Sequence, residues 1–397
     1  MAGIDVRGTC DERFDLVKET FARHFFTGED VGASFAVFLD GKPVVDIWAG
    51  FADAAKTRPW EKDTLVCVFS STKVMAAICV HVLADRGLVD YDAPVAKYWP
   101  GFARAGKENV LVRHILSHTS GVSTYPEQVT IEELANWEKM VDLVERQPPL
   151  WPPGTAIGYE MTSFSFLVGE LVRRVSGKSI GTFFRDEIAR PLGADFHIGT
   201  PETEFPRLAE LIAPRRCTMF GLVNSDFLFR LLGKPTAIQI ARNPKIPVEL
   251  IKTLHREPRW QKAELPSSNG NGNARSMAKI GAMIACDGEL NGKRLLSTET
   301  IKETATSQFN GKGYLIANGS MGLGWAINTL KMADGTIPLA IGWGGLGGSF
   351  CTIDLDNHMS FAYAMNKMNL SLLPDRRKGR LVNAVYSSLK RIKISGA

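Results

Sequence analysis

Apolar positions along the chain follow two spacings, and the spacing switches near both ends. From Asp11, a helix N-cap, to about His24, Phe14, Leu16, Val17, Phe21 and Phe25 give one apolar side at helical spacing. G-A-S-F-A-V-F-L, Asp40-Gly41 and K-P-V-V-D-I-W-A-G then read as a β-hairpin, because Asp-Gly supplies the positive φ angles of a tight turn. A short β-branched and aromatic run, V-C-V-F, ends at Phe69 and gives way to a helical pattern that stops near Gly87.

From about 101 to 300 the periodicity is mainly helical. R-H-I-L-S-H-T-S-G at 113–121, 131–144, 166–175 and A-R-S-M-A-K-I-G-A-M-I-A at 274–285 all repeat near 3.6 residues. Between them, residues 201–266 are irregular and rich in Leu, Phe, Ile, Met and Pro, a composition suited to roofing a pocket or to an ordinary irregular subdomain. Strand patterns return in G-L-G-W-A-I-N, T-I-P-L-A-I-G-W-G-G, S-F-C-T-I-D-L and M-S-F-A-Y-A-M-N, with Asp356-Asn357 turning between the last two. A helix from about Arg376 to Ile392 closes the chain. Strands at both ends predict an α+β protein: a discontinuous α/β domain from 1–100 and 301–397, with a mainly helical domain, 101–300, inserted into it.

Composition narrows the function without naming it. At 397 residues, 45% hydrophobic and 22% charged, the chain is an ordinary globular protein of two to three units at about 150 residues each. The net charge of +5 is dispersed. Its densest runs, D-R-R-K-G-R and K-R-I-K, lie in or beside the last helix without a recognition motif, so no nucleic-acid partner is expected. No leader or membrane-spanning run is visible, and six scattered cysteines without C-x-x-C fit a reducing compartment; the expectation is a cytoplasmic protein with no membrane partner. Self-association into a homo-oligomer is left open.

The candidate chemistry centres on Ser70. It falls at a strand-to-helix junction with Lys73 one turn on, at the helix end whose free N–H groups favour an alkoxide. S-x-x-K recurs at Ser276/Lys279 and Ser387/Lys390, but inside long helical patterns. Gly177-Lys178-Ser179-Ile180-Gly181 matches the G-x-S-x-G nucleophile elbow, yet a helix precedes it where a strand is needed, so Gly177 and Ser179 read as helix caps. Gly342, Gly344 and Gly347 mimic a dinucleotide fingerprint, but a strand follows. His114 and His118, four apart on an expected helix, lack further ligands, so no metal is predicted. A Ser-His-Asp triad is not excluded by spacing, though nothing marks one His as its base. In W-P-P-G-T-A-I-G-Y-E-M-T, Tyr159 is delivered on a constrained turn; beside an ammonium its phenol tends toward phenolate, while ring packing is the commoner fate of a tyrosine. Trp343, Gly344, Gly345 and Leu346 offer a strand backbone that a substrate can approach.

In this order S-S-T-K at 70–73, L-S-H-T-S-G at 116–121, P-P-G-T with Tyr159, and Trp343-Gly344-Gly345 resemble the serine β-lactamase and penicillin-binding-protein-like superfamily, and the W-x-G form resembles its family VIII carboxylesterases. The resemblance implies a class C β-lactamase-like fold, Ser70 as nucleophile, Lys73 and Tyr159 as its proton-handling partners, and an oxyanion hole from the N–H groups of Ser70 and Leu346. It implies hydrolysis of a small-molecule ester with small or medium acyl chains and no cofactor. Acyl transfer, amide hydrolysis or residual β-lactamase or peptidase activity are the alternatives, and a non-catalytic scaffold is the rival of another class. Two departures stand out: Glu160-Met161 follows Tyr159 in place of the amide of Y-x-N, and Trp343 replaces the Lys of K-T-G.

Overall fold

The computed structural model describes residues 4–213, 240, 243, 253–254, 256–311, 313–314, 319–327, 338–369 and 375–395. Most of the 201–266 stretch, and with it the expected pocket roof, lies outside the described residues.

The hairpin forms where Asp40-Gly41 predicts it, with φ of 48° and 72°, joining Gly32–Leu39 to Lys42–Gly50. These strands enter a nine-stranded sheet whose described pairings are all antiparallel. Its order runs Arg7–Cys10, Lys42–Gly50, Gly32–Leu39, Met359–Met365, Phe350–Asp354, Ala340–Gly344, Ala326–Ile327, Gly319–Met321, Phe309–Gly311. The hairpin from the start of the chain therefore sits directly beside a strand from its end, Ala33 opposite Met365 and Leu39 opposite Met359.

Gly32–Leu39 is an almost unbroken apolar run because helices cover both of its faces. Phe35 and Val37 point into a cluster with Phe14, with Val17 and Phe21 of helix Asp15–Phe26, and with Leu381, Val385 and Leu389 of helix Arg376–Ser395. Ala36 and Phe38, one residue out of phase, point into the larger cluster with Met277, Ile280 and Ile284 of helix Ala274–Ala285. That last helix packs on Gly32–Leu39, Phe350–Asp354 and Met359–Met365, although it falls inside the 101–300 segment expected as the inserted helical domain. A boundary at 300 thus cuts off one of the sheet's own covering helices.

Other expectations are corrected in detail. Asp11 caps a 3-10 turn, Glu12–Phe14, before the first α-helix begins. The edge strand Arg7–Cys10 is not foreseen, since R-G-T-C pairs on one side only and carries no apolar alternation. The helical pattern at 131–144 is split: Asn136 ends a 3-10 turn, Glu133–Ala135, and its side chain accepts the Lys139 N–H to cap Trp137–Arg146. The 113–121 pattern is helical only over Val112–Leu116. Among the described residues no helix is long and apolar enough to cross a membrane.

Candidate active site

Strand Val66–Cys67 runs into a 3-10 turn, Phe69–Ser71, and then into helix Thr72–Asp85. Phe69 holds the turn with a positive φ of 45°, a strained setting for a bulky residue, and the Thr72 hydroxyl locks it by donating to the Phe69 carbonyl at 2.5 Å. Ser70 is left half-buried at the surface of the turn. The helix behind it is buried on every side from Thr72 to Leu83, as befits an apolar helix in the middle of a large protein. Lys73 is therefore a charge-bearing side chain with 0% exposure.

A buried ammonium needs acceptors, and Lys73 has three. Its Nζ donates to the Met161 carbonyl (3.1 Å), the Ser267 carbonyl (2.9 Å) and the Tyr159 hydroxyl (3.2 Å). The Tyr159 hydroxyl in turn donates to Ser70 Oγ at 2.7 Å. Ser70 stands in the turn before the helix that carries Lys73, and the two are joined through the phenol. Burial is the main force on both Lys73 and Tyr159: it pushes the amine down, and it pushes the phenol up. The phenol nonetheless ends below its ordinary range, because the Lys73 charge and hydrogen bonds with Ser70, Trp343 and Lys73 outweigh burial.

The Tyr159 loop is fixed by its surroundings. Gly158 lies so close under the Trp151 ring that a Cβ there would sit 1.9 Å from it. Its N–H donates to the His118 carbonyl (2.9 Å), and its carbonyl accepts from Ser123 Oγ (2.8 Å). Trp343 stacks on the phenol with centroids 5.7 Å apart and planes 29° apart.

Trp343 and Gly344 end strand Ala340–Gly344, and a tight turn through Gly345–Gly348 leads into Phe350–Asp354. Gly345 abuts the nucleophile turn: a Cβ on it would lie 2.1 Å from the Val68 carbonyl. Gly345 donates its N–H to Ser349 O (2.7 Å) and Gly348 to Gly345 O (3.1 Å), whereas among the described residues the Leu346 N–H has no protein acceptor. The sequence-predicted set of Ser70, Lys73, Tyr159, Trp343, Gly344, Gly345 and Leu346 thus falls in one place. A hydroxyl, a phenol biased toward ionisation and an unspent amide beside them are the parts that acyl transfer to serine requires.

Sequence reasoning missed the layer behind Tyr159. His118 is not on a helix with His114: the chain leaves the helix after Leu116, and His118 adopts φ 59°. Its Nδ1 lies 3.2 Å from Glu160 Oε2, and Ser120 Oγ donates to Glu160 Oε1 at 2.5 Å. His118 also sets its ring edge-on to Tyr159 and against Trp343, each at 5.5 Å. Burial drives the Glu160 carboxyl well up and the His118 imidazole well down, so it disfavours the charged form of each. The available signal was a lone acid in an otherwise apolar Tyr-Glu-Met.

The look-alike motifs resolve as caps and turns. Ser179 accepts the Thr182 N–H at the start of helix Ile180–Phe184 and donates to Glu264 (2.8 Å), and Gly177, with φ 71°, ends the helix before it. Gly342 to Gly347 run from strand to strand, with no helix to face a phosphate. Among the described residues no cluster of His, Cys, Asp and Glu has the makings of a metal site.

Known proteins resemble this chain over most of its length. Esterase/beta-lactamase LipL of Mycobacterium tuberculosis is 34% identical over 384 residues, covering 92% of this chain and 84% of that protein. A solved family VIII carboxylesterase superposes with a TM-score of 0.86 at 38% identity, over 97% of this chain and 100% of the other. A penicillin-binding protein homologue from Caulobacter crescentus does so at 0.84 and 34%, with the same coverage. The fold is β-lactamase-like, as the resemblance implied. A family model described as Beta-lactamase matches residues 21–384, and the chain belongs to the Beta-lactamase family.

Proposed function

We propose that the protein is a serine carboxylesterase that hydrolyses esters with small to medium acyl chains through an acyl-enzyme on Ser70. The relative named esterase/beta-lactamase LipL and the family VIII carboxylesterase, both above 30% identity over nearly the whole chain, support ester hydrolysis. The observation that carries the mechanism is the single phenol touching both Ser70, at 2.7 Å, and Lys73, at 3.2 Å.

In this mechanism Tyr159, ionised with the help of Lys73, takes the Ser70 proton as Oγ attacks the ester carbonyl. The tetrahedral oxyanion is held by the N–H groups of Ser70 and Leu346, each such donor lowering the barrier by about 3 kcal/mol. Collapse breaks the ester C–O bond, and the phenol returns its proton to the departing alkoxide. Water then attacks the acyl-enzyme, giving its proton to the phenolate, and as collapse breaks the acyl–Oγ bond the phenol passes that proton to Oγ, releasing the acid and restoring Ser70.

β-Lactams fit this site less well. Met161 stands where the resemblance calls for an amide, and its carbonyl is already taken by Lys73. Trp343 stands where it calls for a cation and lies flat on Tyr159. We therefore expect p-nitrophenyl butyrate turnover to exceed nitrocefin turnover by orders of magnitude. Mass spectrometry after fluorophosphonate treatment should find the adduct on the Ser70 peptide, and Ser70→Ala should abolish turnover; an adduct elsewhere, or an active Ser70→Ala, would defeat the proposal.

A further inference from the structure

The turn that carries the Leu346 N–H is fastened at two points by side chains that do not face the substrate. On one side, the Ser349 hydroxyl donates to the Val68 carbonyl (2.8 Å) and lies 3.3 Å from Ser71 Oγ. Val68 precedes the turn that presents Ser70, and Ser71 is its last residue. The strand itself does not need this hydroxyl, because the hairpin closes through the Ser349 backbone carbonyl, which accepts the Gly345 N–H. On the other side, Arg377 at the start of the terminal helix is only 3% exposed and donates to the Gly347 carbonyl (2.8 Å), which the Asn369 N–H also reaches (2.8 Å). The rest of the guanidinium is held by Asp30 (2.8 Å), Asp375 (2.7 Å) and the Lys367 carbonyl (2.8 Å). There is no slack between the two fastenings: a Cβ on Gly345 would lie 2.1 Å from Val68 O, and one on Gly348 would lie 2.5 Å from an Asp375 carboxylate oxygen.

We propose that Ser349 and Arg377 are positioning residues that set the separation of the two oxyanion donors, Ser349 by tying the turn to the Ser70 turn and Arg377 by bracing it from behind. This rests on the reading of Leu346 as a donor. A donor tuned to an oxyanion loses most of its effect when it is misplaced by about an ångström, and these two side chains supply the fixed points on either side of it.

The test compares an oxoester with the thionoester of the same acid and alcohol, since sulfur is a larger and weaker hydrogen-bond acceptor and draws less on the hole. Ser349→Ala should lower kcat for the oxoester about 10- to 100-fold with KM changed less than threefold, while the thionoester rate falls much less, so the oxo-to-thiono ratio shrinks about tenfold. Ser349→Thr, which keeps the hydroxyl, should recover the ratio, and Arg377→Lys, which keeps the charge but not the fork, should move it as Ser349→Ala does. If Arg377→Lys does not fold, Ser349→Ala decides alone. A ratio within twofold of wild type, whether both rates are unchanged or fall together as a loss of folded protein would make them, overturns the proposal. Ser70→Ala is run alongside: an inactive Ser70→Ala with an unmoved ratio rejects the positioning role alone, whereas an active one rejects the parent mechanism.

Discussion

Tyr159→Phe removes one oxygen from the centre of the site and little else. The ring stays, and with it the stacking on Trp343 at 5.7 Å and the edge contact with His118 at 5.5 Å. Lys73 keeps its two carbonyl acceptors, at 3.1 and 2.9 Å. The stability cost is then the hydroxyl's hydrogen bonds with Lys73 and Ser70, about 3 kcal/mol together, a drop of several degrees in Tm. The catalytic cost is the general base, about 10² to 10⁴ in kcat, or about 3 to 5 kcal/mol of barrier. Steady-state kinetics on p-nitrophenyl butyrate beside a thermal melt separates the two. Lys73→Met completes the argument through pH. In the wild type burial raises the phenol, but Lys73 helps hold it below its ordinary value, so the unprotonated base is present from a lower pH and activity is lost as pH falls through that depressed pKa. Without the ammonium the phenol must rise, and the acid limb of kcat/KM must move to higher pH. A Tyr159→Phe enzyme within threefold of wild type, or a limb that stays put in Lys73→Met, would refute the assignment of Tyr159 as base.

Three further outcomes follow from contacts already described. Ser179→Ala should leave turnover within about twofold and cost only the cap of a short helix, about 1 kcal/mol in denaturant melts; a collapse of activity would revive the elbow motif. Gly345→Ala should lower kcat sharply with the protein still folded, since a methyl cannot occupy a position 2.1 Å from the Val68 carbonyl without moving the turn; unchanged kinetics would show that the turn has room to yield. Burial pushes the Asp30 carboxyl up, but the His24 imidazole 3.3 Å away, the Arg377 charge and the Tyr363 hydroxyl hold it below the usual carboxylate range. Its stabilising contribution is therefore full above the unfolded value of about 3.9 and is lost as pH falls through the lower folded one; Asp30→Asn should cost about 3 kcal/mol at pH 7 and flatten the acid limb of the stability curve.

What the sequence disclosed depended on how local the determining physics is. The hairpin at Asp40-Gly41, the helices at 166–175 and 274–285, and the caps at Gly177 and Ser179 are set by neighbours in the chain, and they were legible. So was the convergence of Ser70, Lys73 and Tyr159, through ordered motifs more than through periodicity. The edge strand Arg7–Cys10 exists only because Lys42–Gly50 offers it a partner, and no local pattern announces that. His118 and Glu160 were hidden for a similar reason. A helical spacing of histidines looks the same whether or not the helix stops at Leu116, and an acid beside a tyrosine shows its burial only once Ser120 folds over it. The place of helix Ala274–Ala285 on the sheet is likewise a tertiary fact, invisible to a division made by counting helical and extended stretches.

The pairing of Gly32–Leu39 with Met359–Met365 has a consequence for biosynthesis. More than three hundred residues separate the partners, and at about 5 to 20 residues per second a ribosome needs roughly 15 to 60 s to make them. For that interval the early hairpin waits with two oily faces bare, an invitation to holdase chaperones and to misassociation. Val68 likewise cannot meet Ser349 until residue 349 has been made, so a nascent chain stalled before it should carry none of the folded protein's activity.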